Sequence, residues 1–308
     1  MRKRRRCFNS EAVIGSVTEQ AAAETGLRAG TPVVSGMHDV DACAIGTGCA
    51  GGGRLSMTAG TFSINQVVSE NPVIDERWAC RSFVRQGAWM NMSISPASAT
   101  NLDWLLETFC KAEIEAARQS GQSLYAFVNH EIESILHEDS NVFFLPFIFG
   151  RHMAIKPAPR FPGLRGWHGR AHVLRAVFEG VAFNHRTIDA LRSAFPVNEV
   201  RVSGGGSRSL IWTQLFADVF GLPVVITDAA EAGALGAAIC AGLGVRVYET
   251  VDDAIARTVR ATRVHVPDVA RQQKYELAYQ TYNALIDALK PVWSSVEGRL
   301  VDQSLLPN

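Results

Sequence analysis

The sequence predicts an α/β fold in which a mixed β-sheet carries helices on both faces. Two regions support this prediction. Residues 54–95 contain three consecutive strand patterns, and residues 200–240 contain a strand, a glycine turn, a helix, a second strand and a second helix. Meandering strands pair antiparallel, whereas strands joined through a helix pair parallel. We therefore expect a mixed five-stranded sheet, with three strands from the first region and two from the second.

The first region follows a glycine-rich connector at residues 48–54. Residues 54–69 alternate well enough for two strands around a tight Ala-Gly-Thr turn, and residues 89–95 predict a third strand. Residues 101–109 then place apolar side chains three and four apart, which is typical of a helix. Upstream of the connector, residues 39–48 predict a short helix that is capped by an aspartate.

The second region is the most informative part of the chain. A β-branched strand at residues 200–203 runs into Gly204, Gly205 and Gly206, and an amphipathic helix to about Phe220 follows. Three glycines remove every Cβ at the turn, so a ligand can contact bare backbone there. The first amides of a helix lack internal partners and attract anions, which favours a phosphate or a nucleotide. The alternative is a tight turn that binds no ligand.

Composition excludes several classes of function. The 308 residues include 30 basic and 30 acidic side chains, a formal net charge of zero that argues against nucleic-acid binding. The basic run at residues 1–6 is either a basic patch or a solvated start of the chain. No apolar run is long enough to cross a membrane. Six scattered cysteines indicate reduced thiols and a cytoplasmic protein.

Four stretches, taken together, resemble one family. They lie at residues 26–48, 56–63, 161–179 and 203–224 and read GLRAGTPVVSGMHDVDACAIGTG, SMTAGTFS, FPGLRGWHGRAHVLRAVFE and SGGGSRSLIWTQLFADVFGLPV. In this order they are similar to the carboxy-terminal part of the FGGY carbohydrate kinases, which belong to the actin-like ATPase (ribonuclease H-like) superfamily. Pro159 departs from the family pattern, which prefers a small residue there.

This resemblance implies an ATP-dependent kinase that phosphorylates a ketose such as xylulose, or a polyol, with Mg²⁺ accompanying the ATP. The stretches GMHD and ASATNLDW resemble the L-xylulose kinase-like subgroup. Residues 1–48 would be a remnant of the sugar-binding domain, and residues 49–308 the ATP-binding domain. Family members carry a whole further domain before this point, with most sugar contacts and the carboxylates that hold Mg²⁺. We therefore expect a truncated kinase.

The resemblance assigns the chemistry of the sugar side to one short segment. Asp39 would be the general base that accepts the proton of the attacking sugar hydroxyl. The alternative is that Asp39 only caps the following helix. His38 either contacts substrate or is structural. Asp41 is the second candidate for the base and is expected to face solvent.

The resemblance also assigns the nucleotide side. Gly60 and Thr61, at the tip of the first hairpin, would contact the β- and γ-phosphates through bare backbone, an amide and a hydroxyl. Their alternative is an ordinary hairpin turn. The three glycines of the second turn would border the adenosine and the α-phosphate. Ser209 either faces the base or is a surface serine.

Three functions therefore compete. The first is an ATP-dependent sugar kinase, which needs two lobes that close and exclude water. The second is a nucleotide-binding remnant without catalysis. The third is an interaction module that forms homodimers through an exposed apolar face.

Overall fold

The computed structural model describes residues 8–303 apart from residues 97, 122 and 149–159, with side chains as far as Trp293. The basic run at residues 1–6 and the family departure at Pro159 lie outside the described residues. Within the described part of the chain, no helix combines the length and the apolar character that a membrane crossing requires.

The strands are β1 (Val13–Ser16), β2 (Pro32–Val34), β3 (Arg54–Ala59), β4 (Ser63–Ser69), β5 (Ala79–Ser82), β6 (Trp89–Ser95), β7 (Glu199–Ser203), β8 (Val224–Thr227) and β9 (Ala261–His265). The α-helices are α1 (Glu19–Thr25), α2 (Asp39–Gly46), α3 (Thr100–Phe109), α4 (Lys111–Ser120), α5 (Leu124–Glu133), α6 (Arg170–His185), α7 (Ile188–Ala194), α8 (Leu210–Phe220), α9 (Ala232–Gly244), α10 (Val251–Thr258) and α11 (Val269–Gln303).

The main sheet is mixed, as predicted, but it has seven strands rather than five. Its order is β5-β6-β4-β3-β7-β8-β9. The pairs β3–β7 and β7–β8 are parallel, and the other pairs are antiparallel. The prediction missed β5 and β9, the two edge strands. Neither strand has a clear alternation of buried and exposed residues, so their pairing depends on the neighbouring strand rather than on a local pattern.

Helices cover both faces of this sheet, which confirms the predicted layers. Val67 and Val68 are neighbours on β4, yet each belongs to a different hydrophobic cluster, because successive strand residues point to opposite faces. One face packs against α6 and α8, with Phe178 stacked on Trp212 at 4.2 Å between ring centroids. The other face packs against α2, α9 and α10.

Helices α2 and α9 approach each other through small residues. A Cβ on Gly46 would collide with the carbonyl of Ala232, and a Cβ on Gly236 would collide with the carbonyl of Ala42. Helix α2 is thereby packed into the same core as the sheet that follows it. In the segment β1–α1–β2 every residue is exposed or partly exposed, and none is buried. The division into domains at residues 48 and 49 stays a prediction.

Candidate functional site

The two predicted phosphate-binding bends lie side by side. They follow β3 and β7, which pair in parallel with Thr58 opposite Ser203, and the hydroxyls of these two residues are 3.2 Å apart. The carboxyl ends of the two strands therefore meet at one edge of the sheet. A Cβ built on Gly204 would lie 2.9 Å from the carbonyl oxygen of Ala59 and 3.2 Å from the amide nitrogen of Gly60. The backbones of the two bends are in direct contact.

The glycine turn has a geometry that only glycine adopts readily. Gly204 has φ +86° and ψ −176°, and a 3₁₀ turn at Gly205–Arg208 follows. Helix α8 begins only at Leu210. The prediction that an α-helix follows the glycines directly is wrong, so the anion-attracting end of α8 does not coincide with them. The bare backbone of the turn remains the feature that can receive a phosphate.

The start of α3 holds the hairpin tip. The Ala99 amide donates to the carbonyl of Gly60 at 2.9 Å, and the Thr100 hydroxyl donates to the carbonyl of Thr61 at 3.2 Å. Gly60 is half-buried and Thr61 is exposed. The tip is thus fixed through its carbonyls while Thr61 stays accessible. Sequence reasoning did not find this support, because the partners lie about 40 residues further along the chain.

Tyr125 adds a side wall to the glycine turn. A Cβ on Gly205 would lie 3.2 Å from the Tyr125 hydroxyl, so the phenol lies beside bare backbone. Burial raises the pKa of the Tyr125 hydroxyl, and the nearby carboxylate of Asp103 raises it further. The phenol therefore stays protonated at neutral pH and can donate a hydrogen bond.

Ser209 fits neither of its two predicted roles. Its side chain is fully buried, so it is not a surface serine. Its hydroxyl donates to Asn129 Oδ1 at 2.6 Å and accepts from the Trp212 amide at 3.1 Å. It is the N-cap of α8, a role in which serine is strongly preferred. Since protein atoms cover and satisfy this hydroxyl, Ser209 is not in a position to face a base.

Asp39 lies at the first residue of α2, and its side chain is 86% exposed. Its carboxylate accepts from the Val40 amide at 2.7 Å and lies 3.0 Å from His38 Nδ1. The N-cap position belongs to His38, which makes no side-chain cap bond. The predicted aspartate cap is therefore replaced by a bond from Asp39 to the next residue's amide. The rest of the carboxylate is open to solvent or substrate.

Asp41 does not face solvent, contrary to the prediction. It is 4% exposed and forms a two-pronged pair with Arg81 on β5, with both N–O distances 2.9 Å. A carboxylate that is held by a guanidinium fork is poorly placed to accept a proton. Asp41, Arg81 and His38 line a polar cleft of about 360 Å³ beside Asp39.

The start of α9 reaches the same neighbourhood. Glu231 is its N-cap residue. Burial raises the pKa of the Cys43 thiol on α2, and the carboxylates of Asp39 and Glu231 raise it further. A Cβ built on Gly233, near the start of α9, would lie 3.4 Å from Cys43 Sγ, so the beginning of α9 packs against α2. Among the described residues, no group of three or more His, Cys, Asp and Glu side chains is placed to hold a metal ion.

Fold and site together define an α/β domain of the actin-like ATPase type, in which two backbone bends at one sheet edge form the candidate phosphate site. The chain belongs to the FGGY family of carbohydrate kinases: the model of that family's C-terminal domain matches residues 55–245, more than half of the chain.

Relatives and solved structures agree with this assignment. The L-xylulose/3-keto-L-gulonate kinase of Escherichia coli (strain K12) is 33% identical over 285 residues, which are 91% of this chain and 55% of that protein. The autoinducer-2 kinase of Yersinia pestis (strain Pestoides F) is 32% identical over 286 residues, 89% of this chain and 53% of that protein. The crystal structure of xylulose kinase from Rhodospirillum rubrum superposes with a TM-score of 0.79 at 27% identity, covering 94% of this chain and 58% of that chain. The chain spans about half the length of these relatives.

Proposed function

We propose that the protein transfers the γ-phosphoryl group of Mg·ATP to a sugar hydroxyl and that this chain supplies the nucleotide side of the site. The observation that carries the proposal is the contact between the Gly60 hairpin and the Gly204 turn. Two stretches of bare backbone at one sheet edge suit a polyphosphate, because oriented amides stabilise its charge. The family membership of the chain agrees with this use.

In the proposed site, Gly60 and Thr61 contact the β- and γ-phosphates, whereas Gly204 to Gly206 border the adenosine and the α-phosphate. The exposed Thr61 offers a hydroxyl and an amide. The half-buried Gly205 lets the nucleotide approach beside Tyr125. Mg²⁺ enters as part of the substrate Mg·ATP, and no step is assigned to a metal site of this chain.

Asp39 is the proposed general base. Phosphoryl transfer has a loose transition state, so it asks mainly for positioning and charge stabilisation, and a weak, well-placed base is sufficient. The exposed carboxylate of Asp39, fixed at the start of α2 by the Val40 amide, can accept the sugar proton. His38 and the cleft beside it are the proposed contact with the sugar.

The proposed acceptor is a ketose such as xylulose, or a polyol. Several similar proteins are named for L-xylulose, and others are named for autoinducer-2; the relatives that are named for L-xylulose favour a ketose. A cytoplasmic location is part of the proposal, because ATP is the phosphoryl donor and Cys43, Cys49, Cys80, Cys110 and Cys240 are free thiols.

Calorimetry with Mg·ATP tests the nucleotide site. Gly205→Asp would place a carboxylate among the phosphates of the proposed site, and the new Cβ would lie 3.2 Å from the Tyr125 hydroxyl, so we expect ATP binding to weaken by at least about tenfold. Gly166→Asp is the matched control, because it adds the same charge elsewhere. Gly166 is exposed, and no atom lies within 4 Å of a Cβ built on it. Equal ATP affinity in the two variants would refute the assigned site.

A coupled ADP-release assay over a panel of ketoses and polyols tests catalysis. Since the relatives are about twice as long as this chain, we expect the chain alone to bind nucleotide with little or no sugar-dependent turnover. Rapid sugar-dependent turnover by the chain alone would contradict this expectation. In a full-length kinase that contains this chain, Asp39→Asn should abolish turnover and leave the ATP affinity unchanged, because the substitution removes the general base alone.

We also propose a second function, self-association, which one observation favours. Five apolar side chains of the amino-terminal segment are 41–56% exposed, namely Phe8, Val13, Ile14, Leu27 and Val33. Exposed apolar side chains promote association, and the proposed partner is a second copy of the chain. Light scattering should then show a dimer at high concentration, and a monomer at all concentrations would exclude this function.

A further inference from the structure

A buried histidine lies beneath the hairpin tip. His185 is the last residue of α6 and is fully buried. Its Nδ1 lies 2.9 Å from Ser63 Oγ and 3.0 Å from Asn65 Oδ1, and its Nε2 lies 3.2 Å from Ser98 Oγ. A polar ring that is fully buried requires hydrogen-bond partners, and these three side chains supply them.

The partners fix the tautomer of the ring. The Asn65 amide nitrogen donates to the His185 carbonyl at 3.3 Å and to Thr187 Oγ1 at 2.9 Å, so Asn65 Oδ1 must face the ring. A carbonyl oxygen only accepts hydrogen bonds, so Nδ1 carries the proton. Nε2 is then an acceptor, and the Ser98 hydroxyl donates to it. Burial lowers the pKa of His185 to about 3, which keeps the ring neutral.

The His185 ring links the two backbone segments that support the hairpin tip. Ser63 and Asn65 lie at the beginning of β4, directly after the tip. Ser98 lies one residue before Ala99, whose amide holds the carbonyl of Gly60. One neutral imidazole thus ties the strand that leaves the tip to the loop that holds the tip. The Phe216 ring packs against the His185 ring in a nearly perpendicular arrangement, with 5.6 Å between ring centroids and an interplanar angle of 73°, which leaves the His185 ring little freedom.

We propose that His185 is a positioning residue for the phosphate hairpin: as the Nδ1–H tautomer it locks Ser63 and Asn65 to Ser98 and so fixes the Gly60–Thr61 backbone. The effect on nucleotide binding rests on the proposed function, whereas the effect on the hairpin itself does not. The ring reaches the phosphates only through these neighbours. Its removal should therefore weaken contacts to the β- and γ-phosphates and spare those to the adenosine.

Three variants separate positioning from a general contribution to stability. His185→Phe removes both sides of the link. His185→Asn keeps a donor near the Nδ1 position and removes the acceptor for Ser98. His265→Phe is the control, because His265 is also a buried histidine, 8% exposed, and bonds to Thr213 and Gln214 rather than to the hairpin.

The first measurement needs no nucleotide. Long-range ¹H–¹⁵N spectra of the wild-type chain should show the Nδ1–H tautomer of His185, and an Nε2–H tautomer would overturn the proposal. Hydrogen exchange of the Ala99 amide, corrected for each variant's unfolding free energy, should be about tenfold faster in His185→Phe than in His265→Phe. Equal exchange in the two variants would also overturn it. If His185→Phe does not fold, His185→Asn takes its place.

The second measurement compares Mg·ATP with AMP, which shares the adenosine and α-phosphate. We expect His185→Phe to weaken ATP binding by about tenfold and AMP binding by less than about twofold. His265→Phe should leave the ratio unchanged. Parallel losses for both ligands in His185→Phe would refute the inference. A wild-type chain that binds neither ligand would refute the proposed function instead, and hydrogen exchange would still decide the role of His185.

Discussion

Replacement of Gly204 by alanine measures how closely the two bends depend on each other. The new Cβ would lie 2.9 Å from the oxygen and 3.0 Å from the carbon of the Ala59 carbonyl, and 3.2 Å from the Gly60 nitrogen. All three are backbone atoms, so none can rotate away as a side chain would. Overpacking of this kind costs about 1–3 kcal/mol, and the φ of +86° adds strain of about 1–3 kcal/mol. We therefore expect a loss of about 2–6 kcal/mol in unfolding free energy.

Gly87→Ala is the matched control for this change. Gly87 has a φ of +81°, and no atom lies within 4 Å of its built Cβ, so only backbone strain of about 1–2 kcal/mol applies. Urea titrations of both variants give the difference in unfolding free energy, which should be about 1–4 kcal/mol. Calorimetry should show weaker ATP binding for Gly204→Ala alone, because the displaced hairpin no longer meets the phosphates. Stabilities that agree within about 0.5 kcal/mol, with unchanged ATP affinity, would refute the contact between the bends.

Three further predictions follow from buried polar groups. Below a pH of about 6.5 the unfolded chain binds a proton that the buried His185 ring does not, so the unfolding free energy should fall by up to about 1.4 kcal/mol for each unit by which the pH is lowered. Urea titrations at several pH values should show a smaller dependence of the unfolding free energy on pH in His185→Phe. An unchanged dependence would contradict this prediction. Asp41→Asn should destabilise the fold by about 1–3 kcal/mol, because the half-buried Arg81 side chain loses its counter-charge. A double-mutant cycle with Arg81→Met that gives no coupling would disprove the pairing. Burial raises the pKa of Cys49 to about 12, so a thiol reagent at pH 8 should label Cys49 only after the chain unfolds. Mass spectrometry that finds Cys49 labelled in the folded chain would contradict this prediction.

The strands of the sheet centre were predictable because their signals are local. The tight turn between β3 and β4, and the glycines after β7, mark strand ends directly in the sequence. The pattern of residues 11–30 predicts one helix, yet this stretch contains the strand β1 and confines α1 to Glu19–Thr25. The pairing of β1 with β2 depends on a partner further along the chain, which no local pattern reveals.

In the candidate site, too, features with a local sequence signal could be predicted, and features that depend on distant partners could not. The glycine positions of both bends could be found from the sequence, since a turn with bare backbone requires glycine. The errors at Asp41 and Ser209 arose because their partners, Arg81 and Asn129, lie 40 and 80 residues away. An acidic residue in the first turn of a helix ordinarily faces solvent, whereas Asp41 is buried and pairs with Arg81 of β5.

One measurement tests the central claim most directly, namely that two backbone bends receive a single polyphosphate. Backbone amide spectra of the chain are recorded during titration with Mg·ATP and, separately, with AMP. We predict that the amides of Gly60 and Thr61 shift together with those of Gly205 and Gly206, with one common Kd for ATP, whereas AMP shifts the Gly205 and Gly206 amides much more than those of the hairpin. Shifts confined to one bend, or two different Kd values for ATP at the two bends, would contradict the claim.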